Sequence, residues 1–308
     1  MKAPQPDRRS RTKAAAQQQK VLPERKKGFL SPFRYPGGKS WFLKTARKWL
    51  ANQPKPPALL VEPFGGGAGI SLAAVNEGLV PFAVFAERDP DVGAAWQCML
   101  NGEAQWLATK ITAFRMGRRR VEKILATNPR SKRDRAFLCI LRNRTARGGV
   151  IAHGAGLIRD GEDEKGISSR WYPEELAKRI AAISSLKRKL KFKRSDGFRL
   201  IRKHLRRKRA VFFIDPPYTK AARRLYTHWA IDHEELFKLL SRVQGDVLMT
   251  YDDTREVRNL ARKYGFRVKR ISMKTTHHEK KRELMICRTF DWTKRIRKAK
   301  RRDLKVKL

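Results

Sequence analysis

The chain has few cysteines and few acidic residues. The first shortage excludes some classes of fold, and the second indicates the kind of partner that the protein binds. Three of its 308 residues are cysteines (Cys98, Cys139 and Cys287), and no Cys-x-x-Cys pair occurs. We therefore expect neither a disulfide scaffold nor a structural zinc site, and we expect a reducing compartment. Asp and Glu total 29 against 73 Lys and Arg, which gives a net charge of +44. Such a charge attracts polyanions, and nucleic acid is the first candidate partner.

Long apolar runs are also missing. No stretch approaches the roughly 18 apolar residues that a membrane-spanning helix needs, so no membrane partner is expected. The N-terminus lacks the apolar segment of a secretory signal, which predicts a cytoplasmic protein of a bacterium or of a phage-infected host. The same segment is basic and poor in acids, so an organelle transit peptide stays open as the alternative.

Short apolar runs alternate with helical patterns along the middle of the chain, which is typical of an α/β protein. Buried strands are predicted at residues 59–61, 82–86, 210–214 and 247–250. Helices are predicted at 70–77, 91–107, 233–243 and 257–264. The runs at 266–273 and 284–287 predict an antiparallel pair that closes the set. The pattern therefore indicates a mostly parallel twisted sheet, covered on both faces, with an antiparallel C-terminal edge.

This alternation is interrupted once and is flanked by two basic tails. Residues 1–28 and 293–308 have many Lys and Arg but few apolar residues, which predicts a disordered basic arm and a basic tail. Residues 109–191 are helical at both ends and rich in Arg and Gly between them, which predicts an inserted, mainly helical subdomain that contacts substrate. The segments 29–108 and 192–292 then form the central domain.

A glycine-rich turn follows the first predicted strand, where residues 59–70 read LLVEPFGGGAGI. Glycines let the backbone approach a ligand closely. Glu87 ends the next predicted strand, about 20 residues after Gly65, where an acid can accept both hydroxyls of a ribose. No Gly-Lys-Ser/Thr follows the turn, which argues against a nucleotide triphosphatase.

A second motif follows a buried strand at residues 213–218, which read FIDPPY. Two consecutive prolines remove two backbone donors and stiffen the chain. Asp215 and the carbonyl of Pro216 can accept both hydrogens of an exocyclic amine while the ring of Tyr218 stacks on the base. This arrangement would hold the amine nitrogen so that it can attack a methyl group on a sulfonium.

A third motif lies near the N-terminus, where residues 33–40 read FRYPGGKS. A lysine behind two glycines can reach a carboxylate, and Lys39 could therefore bind the methionine end of a cofactor. Tyr35 could pack on an adenine or on a sulfonium. Both residues are thus candidate cofactor ligands.

Taken in their order along the chain (residues 33–40, 59–70 and 213–218), the three motifs resemble those of the Dam-type (class alpha) DNA adenine N6-methyltransferases. The resemblance covers residues 29–290 and implies a Rossmann-like S-adenosylmethionine-dependent methyltransferase fold. It implies that segments 29–108 and 192–292 form the catalytic domain. It also implies that residues 109–191 form an inserted target-recognition subdomain.

The resemblance carries functional residues over position by position. It assigns catalysis to the tetrad Asp215, Pro216, Pro217 and Tyr218. It assigns cofactor binding to Tyr35, Lys39, Glu62, Phe64, Gly65, Gly67, Glu87, Asp196 and Asp215. Residues 137–149 resemble the family's Leu-Asn-Arg…Asn-Gly stretch, with Gly148 replacing the usual Asn, and imply DNA contacts for Arg142, Asn143 and Arg144. No metal-ligand set is expected.

The implied activity is site-specific methyl transfer from S-adenosylmethionine to the exocyclic amine of a flipped adenine in double-stranded DNA, as in restriction-modification. An RNA adenine methyltransferase shares the catalytic motif and would suit the basic tails. A catalytically retired fold that only binds nucleic acid is a third possibility. No Pro-Cys dipeptide occurs, which disfavours methylation at cytosine C5. A monomer is favoured, although the sequence does not fix the oligomeric state.

Overall fold

The computed structural model describes residues 29–34, 38–151, 155–161, 164–218, 230–274 and 280–293. Tyr35, the predicted basic arm and the tail beyond residue 293 therefore lie outside the described residues. Among the helices that are described, none has the length and apolar character that a membrane crossing requires.

Strands and helices alternate along the described chain. The strands are β1 (Leu59–Glu62), β2 (Ala83–Glu87), β3 (Leu190–Arg194), β4 (Ala210–Ile214), β5 (Asp246–Asp252), β6 (Arg267–Lys274) and β7 (Lys280–Cys287). The helices are α1 (Leu43–Ala51), α2 (Gly69–Asn76), α3 (Pro90–Leu100), α4 (Ala104–Thr112), α5 (Arg118–Leu125), α6 (Lys132–Thr145), α7 (Pro173–Ser185), α8 (Gly197–His204), α9 (His233–Ser241) and α10 (Arg255–Lys263).

The strands form one sheet in the order β3-β2-β1-β4-β5-β7-β6. Strands β1 to β5 are parallel, and β7 runs antiparallel to both β5 and β6. This confirms the predicted mostly parallel sheet with an antiparallel C-terminal edge, and the fold is Rossmann-like. The chain order reverses between β1 and β4, and open α/β sheets bind ligands at the carboxyl ends of strands beside such a point.

Both faces of the sheet are buried, which explains why its central strands read as continuous apolar runs. Successive residues of a strand point to opposite faces. In β1, Leu60 belongs to the core on one face and Val61 to the core on the other. In β4, Phe213 and Phe212 divide in the same way. The helices on each side therefore hold the strand ends at fixed positions.

The sequence-based prediction lacks helices α1 and α8 and differs from the structure at two further elements. Strand β3 was not predicted, because its sequence LKFKR contains three basic residues. It lies at the edge of the sheet, where Leu190 is buried and the lysines are exposed. The single helix predicted at 91–107 is instead α3 and α4, which are separated at Gly102 (φ +97°).

The segment 109–191 contributes helices α5, α6 and α7. Helix α6 packs on α3, and α7 packs on α4. Cys139 and Ile140 of α6 share one apolar core with Trp96 of α3. The segment therefore packs directly on the α/β body, and its predicted end at residue 191 falls inside β3.

Candidate active site

One cavity joins the three sequence motifs. It lies at the carboxyl ends of β1, β2 and β4, and its walls include Lys39, Gly65, Glu87, Asp196 and Asp215. It contains about 1280 Å³ of space between protein atoms, including its opening to solvent. The glycine turn (residues 63–69) and the corner formed by residues 215–218 therefore open into the same space.

The glycine turn is shaped by contacts with the neighbouring strand and helix. The backbone N–H of Gly65 donates to the carbonyl oxygen of Ala86 at 2.8 Å. A Cβ at Gly65 would lie 3.0 Å from that oxygen, so a side chain would push the turn away from β2. Gly66 has φ +47°, and its carbonyl accepts a 2.8 Å bond from the indole of Trp96. Gly67 lines the cavity.

Glu62 ends β1 beneath this turn and is only 4% exposed. Its Oε2 accepts a 2.8 Å bond from the backbone N–H of Ser71, in the first turn of α2. Burial raises the pKa of Glu62 to about 8, because the bonds to Ser71 offset the desolvation of the charge only in part. Glu62 therefore connects the glycine turn to the helix that follows it.

This raised pKa predicts how stability depends on pH. The unfolded state loses the Glu62 proton near pH 4.5 and the native state near pH 8, so the native state binds more protons between these values. The free energy of unfolding should therefore fall as pH rises across this window. Glu62→Gln should remove that part of the slope, and urea denaturation at about pH 5 and about pH 9 measures it. A variant whose slope equals the parent's would contradict the burial argument.

Glu87 ends β2 at the position predicted for a ribose-binding acid. Its Oε1 accepts bonds from the backbone N–H groups of Arg88 at 2.7 Å and Asp89 at 2.9 Å. Burial raises the pKa of Glu87 to about 7. The backbone thus fixes the orientation of this carboxyl group on the cavity wall.

Asp196 and Phe64 stand together on the same side of the cavity. Asp196 begins α8, and its Oδ1 accepts a 2.8 Å bond from the backbone N–H of Phe198. The ring of Phe64 meets that of Phe198 edge-on at 6.3 Å. A Cβ at Gly197 would lie 2.8 Å from the carbonyl oxygen of Pro63, so the close approach of α8 to the glycine turn needs glycine there.

Asp215 follows β4 and is oriented by three side chains. Its Oδ1 lies 2.8 Å from the hydroxyl of Thr250, 3.2 Å from that of Tyr218 and 3.0 Å from Nζ of Lys39. Within the described ranges, no hydrogen bond to Oδ2 occurs. Pro216 is buried, whereas Pro217 lines the cavity. The corner is therefore rigid and keeps one carboxylate oxygen for another partner.

Lys39 lies within this corner. Its side chain is 6% exposed, and Nζ lies 2.9 Å from the hydroxyl of Tyr218 and 3.7 Å from Oε2 of Glu283. Lys39 lines the cavity as predicted, but its ammonium is paired with Asp215 in this structure. Thr250 and Glu283 were not identified from the sequence. Thr250 is signalled only as a polar residue within a buried apolar strand, and Glu283 only as an acidic residue directly before the apolar run at 284–287.

Tyr218 stacks on a second tyrosine. The ring centroids of Tyr218 and Tyr251 are 6.1 Å apart at an angle of 20°. The hydroxyl of Tyr251 lies 2.7 Å from Nδ1 of His233. Burial raises the pKa of both tyrosines well above the usual range. The stacking of Tyr218 on a target base stays a prediction, and residues 219–229 lie outside the described part of the chain.

Asn143, predicted to contact DNA, is fully buried. Its Oδ1 accepts a 2.8 Å bond from the N–H of Arg34. Its Nδ2 donates to the carbonyl oxygens of Arg34 at 3.0 Å and Gly149 at 2.8 Å. Gly149 has φ +73°, and a Cβ there would collide with the carbonyl of Arg34. Asn143 therefore fixes residues 31–34, two of which line the cavity.

The neighbouring arginines also have protein partners. Arg144 is 4% exposed, and its Nε donates to the carbonyl of Pro32 at 3.0 Å. Burial lowers the pKa of Arg144 to about 10. Arg142 lies 3.4 Å from Asp91, with its side chain 15% exposed. The burial of Asn143 and Arg144 contradicts their predicted contact with DNA, because their polar groups hold the N-terminal segment. Arg142 is partly exposed beside Asp91 of α3, and its contact with DNA stays a prediction.

Comparisons with known proteins find distant structural neighbours only. A scan against protein-family models and a search of curated proteins give no match. Similar solved structures include a candidate tRNA (m1A22) methyltransferase from Streptococcus pneumoniae in complex with S-adenosyl-L-methionine, with 11% identity and a TM-score of 0.37 over 80% of this chain and 72% of that one. The B. subtilis M1A22 tRNA methyltransferase has 9% identity and a TM-score of 0.34 over 80% and 64%.

A S-adenosylmethionine-dependent methyltransferase from Agrobacterium tumefaciens has 8% identity and a TM-score of 0.38 over 81% of this chain and 60% of that one. Values of this size carry no argument about substrate or residue roles. The assignment of the fold depends on the strand order and on the position of the cavity. No group of three or more potential metal ligands occurs among the residues described.

Proposed function

We propose that this protein transfers a methyl group from S-adenosylmethionine to the exocyclic N6 amine of adenine in DNA. The observation that carries the proposal is the geometry of Asp215. Three donors hold its Oδ1, and the same cavity continues from Asp215 to the glycine turn and Glu87. An amine acceptor and a cavity lined by the glycine turn and by Glu87 are thus adjacent.

The residues of the cavity fit S-adenosylmethionine. Glu87 has the chemistry and position to accept the ribose hydroxyls. Asp196 and Phe64 offer an acceptor and an aromatic face to the adenine ring. Gly65 and Gly67 leave room beside the turn for the methionine part. When bound, this cofactor supplies an electrophilic methyl group.

The residues of the corner would activate the amine. The adenine amine is a poor nucleophile, because its lone pair is delocalised into the ring. Oδ2 of Asp215 and the carbonyl of Pro216 would accept its two hydrogens and stabilise the positive charge that develops on nitrogen. The amine must then lose one proton, which Oδ2 of Asp215 is placed to accept. A base in duplex DNA must first be flipped, at a cost of a few kcal/mol.

The second candidate is an RNA adenine methyltransferase. The burial of Asn143 and Arg144 favours it, because it removes the contacts that were expected to read DNA. A net charge of +44 attracts either nucleic acid.

A transfer assay with labelled S-adenosylmethionine separates these candidates. Duplex DNA and RNA of matching sequence are offered in parallel, and we expect label in the DNA. Label in RNA alone would replace the proposal by the second candidate. Cofactor binding measured by calorimetry is the control, since a chain that binds no cofactor would be a catalytically retired fold.

A further inference from the structure

The edge of the sheet opposite the cavity brings four residues into one row. Lys189, Phe82, Ala58 and Arg209 directly precede β3, β2, β1 and β4, which are neighbours in that order. Backbone bonds connect them: Ala83 N–H to Lys189 at 3.0 Å, Leu60 N–H to Phe82 at 3.0 Å, and Ala58 N–H to Arg209 at 2.8 Å. We call this row, with residues 187–189 and 206–209, the amino-end edge. At about 3.3 Å per residue, four- to five-residue strands separate it from the cavity by roughly 15 Å.

Phe82 is the most exposed large apolar side chain among the described residues, at 53%. A single exposed apolar residue is common on protein surfaces and needs no function by itself. Phe82 differs in its position, because it stands in the row between a run of cations on one side and a second run on the other.

Both runs of cations are exposed. Lys187, Arg188 and Lys189 lie on the β3 side of Phe82, and residues 206–209 (RRKR) lie on the β4 side. In the whole stretch from residue 187 to residue 209 the one acidic residue is Asp196, which lies on the cavity side. The amino-end edge is therefore a basic surface with an aromatic ring near its middle.

Acidic residues near this edge have partners already. Glu77, which follows α2, accepts bonds from Nε and Nη2 of Arg47, each at 2.7 Å. Asp246, the first residue of β5, accepts a 2.8 Å bond from the indole of Trp49. Glu77 is neutralised by Arg47, whereas Asp246 keeps its charge because the indole is neutral. Asp246 is then a single carboxylate beside the seven exposed cations of residues 187–189 and 206–209.

The pKa of the buried His204, at the end of α8, is affected by the same positive charges. Its pKa is lowered to about 4, first by burial and then by Arg207, Lys203 and Lys191. Cations from β3 and from the end of α8 therefore act together at one place. A polyanion is the partner whose charge would relieve this repulsion.

We propose that the amino-end edge binds single-stranded nucleic acid, with Phe82 stacking on a base and the flanking Lys and Arg contacting phosphates. Aromatic platforms between cations are the means by which proteins hold single strands. A duplex keeps its bases stacked on each other, so its affinity should not depend on Phe82. This surface goes beyond the proposed function, because it lies outside the cavity and needs no methyl transfer.

Fluorescence anisotropy with a labelled oligothymidylate of roughly 12 nucleotides tests the proposal on the full chain at physiological salt. Phe82→Ala should weaken binding roughly 5- to 100-fold through loss of stacking, while Phe82→Trp should retain it. Tyr172→Ala is the matched control, because Tyr172 is 47% exposed but lies at the start of α7. Its affinity should equal the parent's.

Three outcomes would overturn the proposal: unchanged affinity of Phe82→Ala, an equal loss in Tyr172→Ala, or an equal loss for a duplex of the same length. Oligouridylate in a parallel series tells whether RNA or DNA is preferred. If the unmutated chain transfers no methyl group but binds the oligomer in a Phe82-dependent way, the proposed function alone is contradicted. If it transfers methyl groups but Phe82→Ala binds as the parent does, this inference alone is contradicted.

Discussion

Replacing Asp215 with Asn is expected to lower kcat for methyl transfer by roughly 10²- to 10³-fold. The amide keeps the shape of the side chain and can still accept a bond from Thr250. It loses the charge that would stabilise the positive nitrogen and the capacity to accept its proton. Single-turnover transfer to DNA at saturating cofactor measures the change, and calorimetry gives the cofactor concentration that saturates the variant.

Asp253→Asn is the matched control for this variant. Asp253 also pairs with cations, Arg258 and Arg270, but lies outside the cavity. Its transfer rate should equal the parent's. If a folded Asp215→Asn protein transfers methyl groups at the parent rate, the role assigned to the corner is wrong.

Asn143→Ala should lower the free energy of unfolding by about 3 kcal/mol. The substitution removes three hydrogen bonds and leaves backbone groups of Arg34 and Gly149 buried without them. Because residues 31–34 line part of the cavity, cofactor affinity should fall as well. Urea denaturation and calorimetry measure the two effects.

The exposed Asn128 provides the comparison, because Asn128→Ala should change stability by less than about 0.5 kcal/mol. If Asn143 served only to contact DNA, Asn143→Ala would leave the free energy of unfolding and the cofactor affinity unchanged. Unchanged stability with weakened DNA binding would restore the original prediction from the sequence.

The central sheet could be predicted from the sequence because its inner strands are buried on both faces and read as apolar runs. The glycine turn and the corner could also be located, since each directly follows such a strand. Strand β3 was missed because an edge strand tolerates exposed lysines, and its LKFKR sequence resembles a phosphate-binding surface.

The partners of the corner could not be predicted. Thr250 meets Asp215 through the pairing of β4 with β5, and Lys39 meets it through the packing of the N-terminal segment. The pairing of β5 with β7 then places Glu283 beside Lys39. The error at Asn143 and Arg144 has a similar cause. A basic, polar stretch predicts a surface, whereas here its side chains satisfy backbone groups of a segment more than a hundred residues away.

The most direct test of the central claim is to identify the methylated atom. Nucleic acid incubated with the protein and S-adenosylmethionine is digested to nucleosides, which are separated and identified by mass spectrometry. We expect the methyl group on the exocyclic N6 of adenine, and its loss with Asp215→Asn. A methyl group on a ring nitrogen of adenine or on cytosine would contradict the assignment of the corner as a holder of the adenine amine.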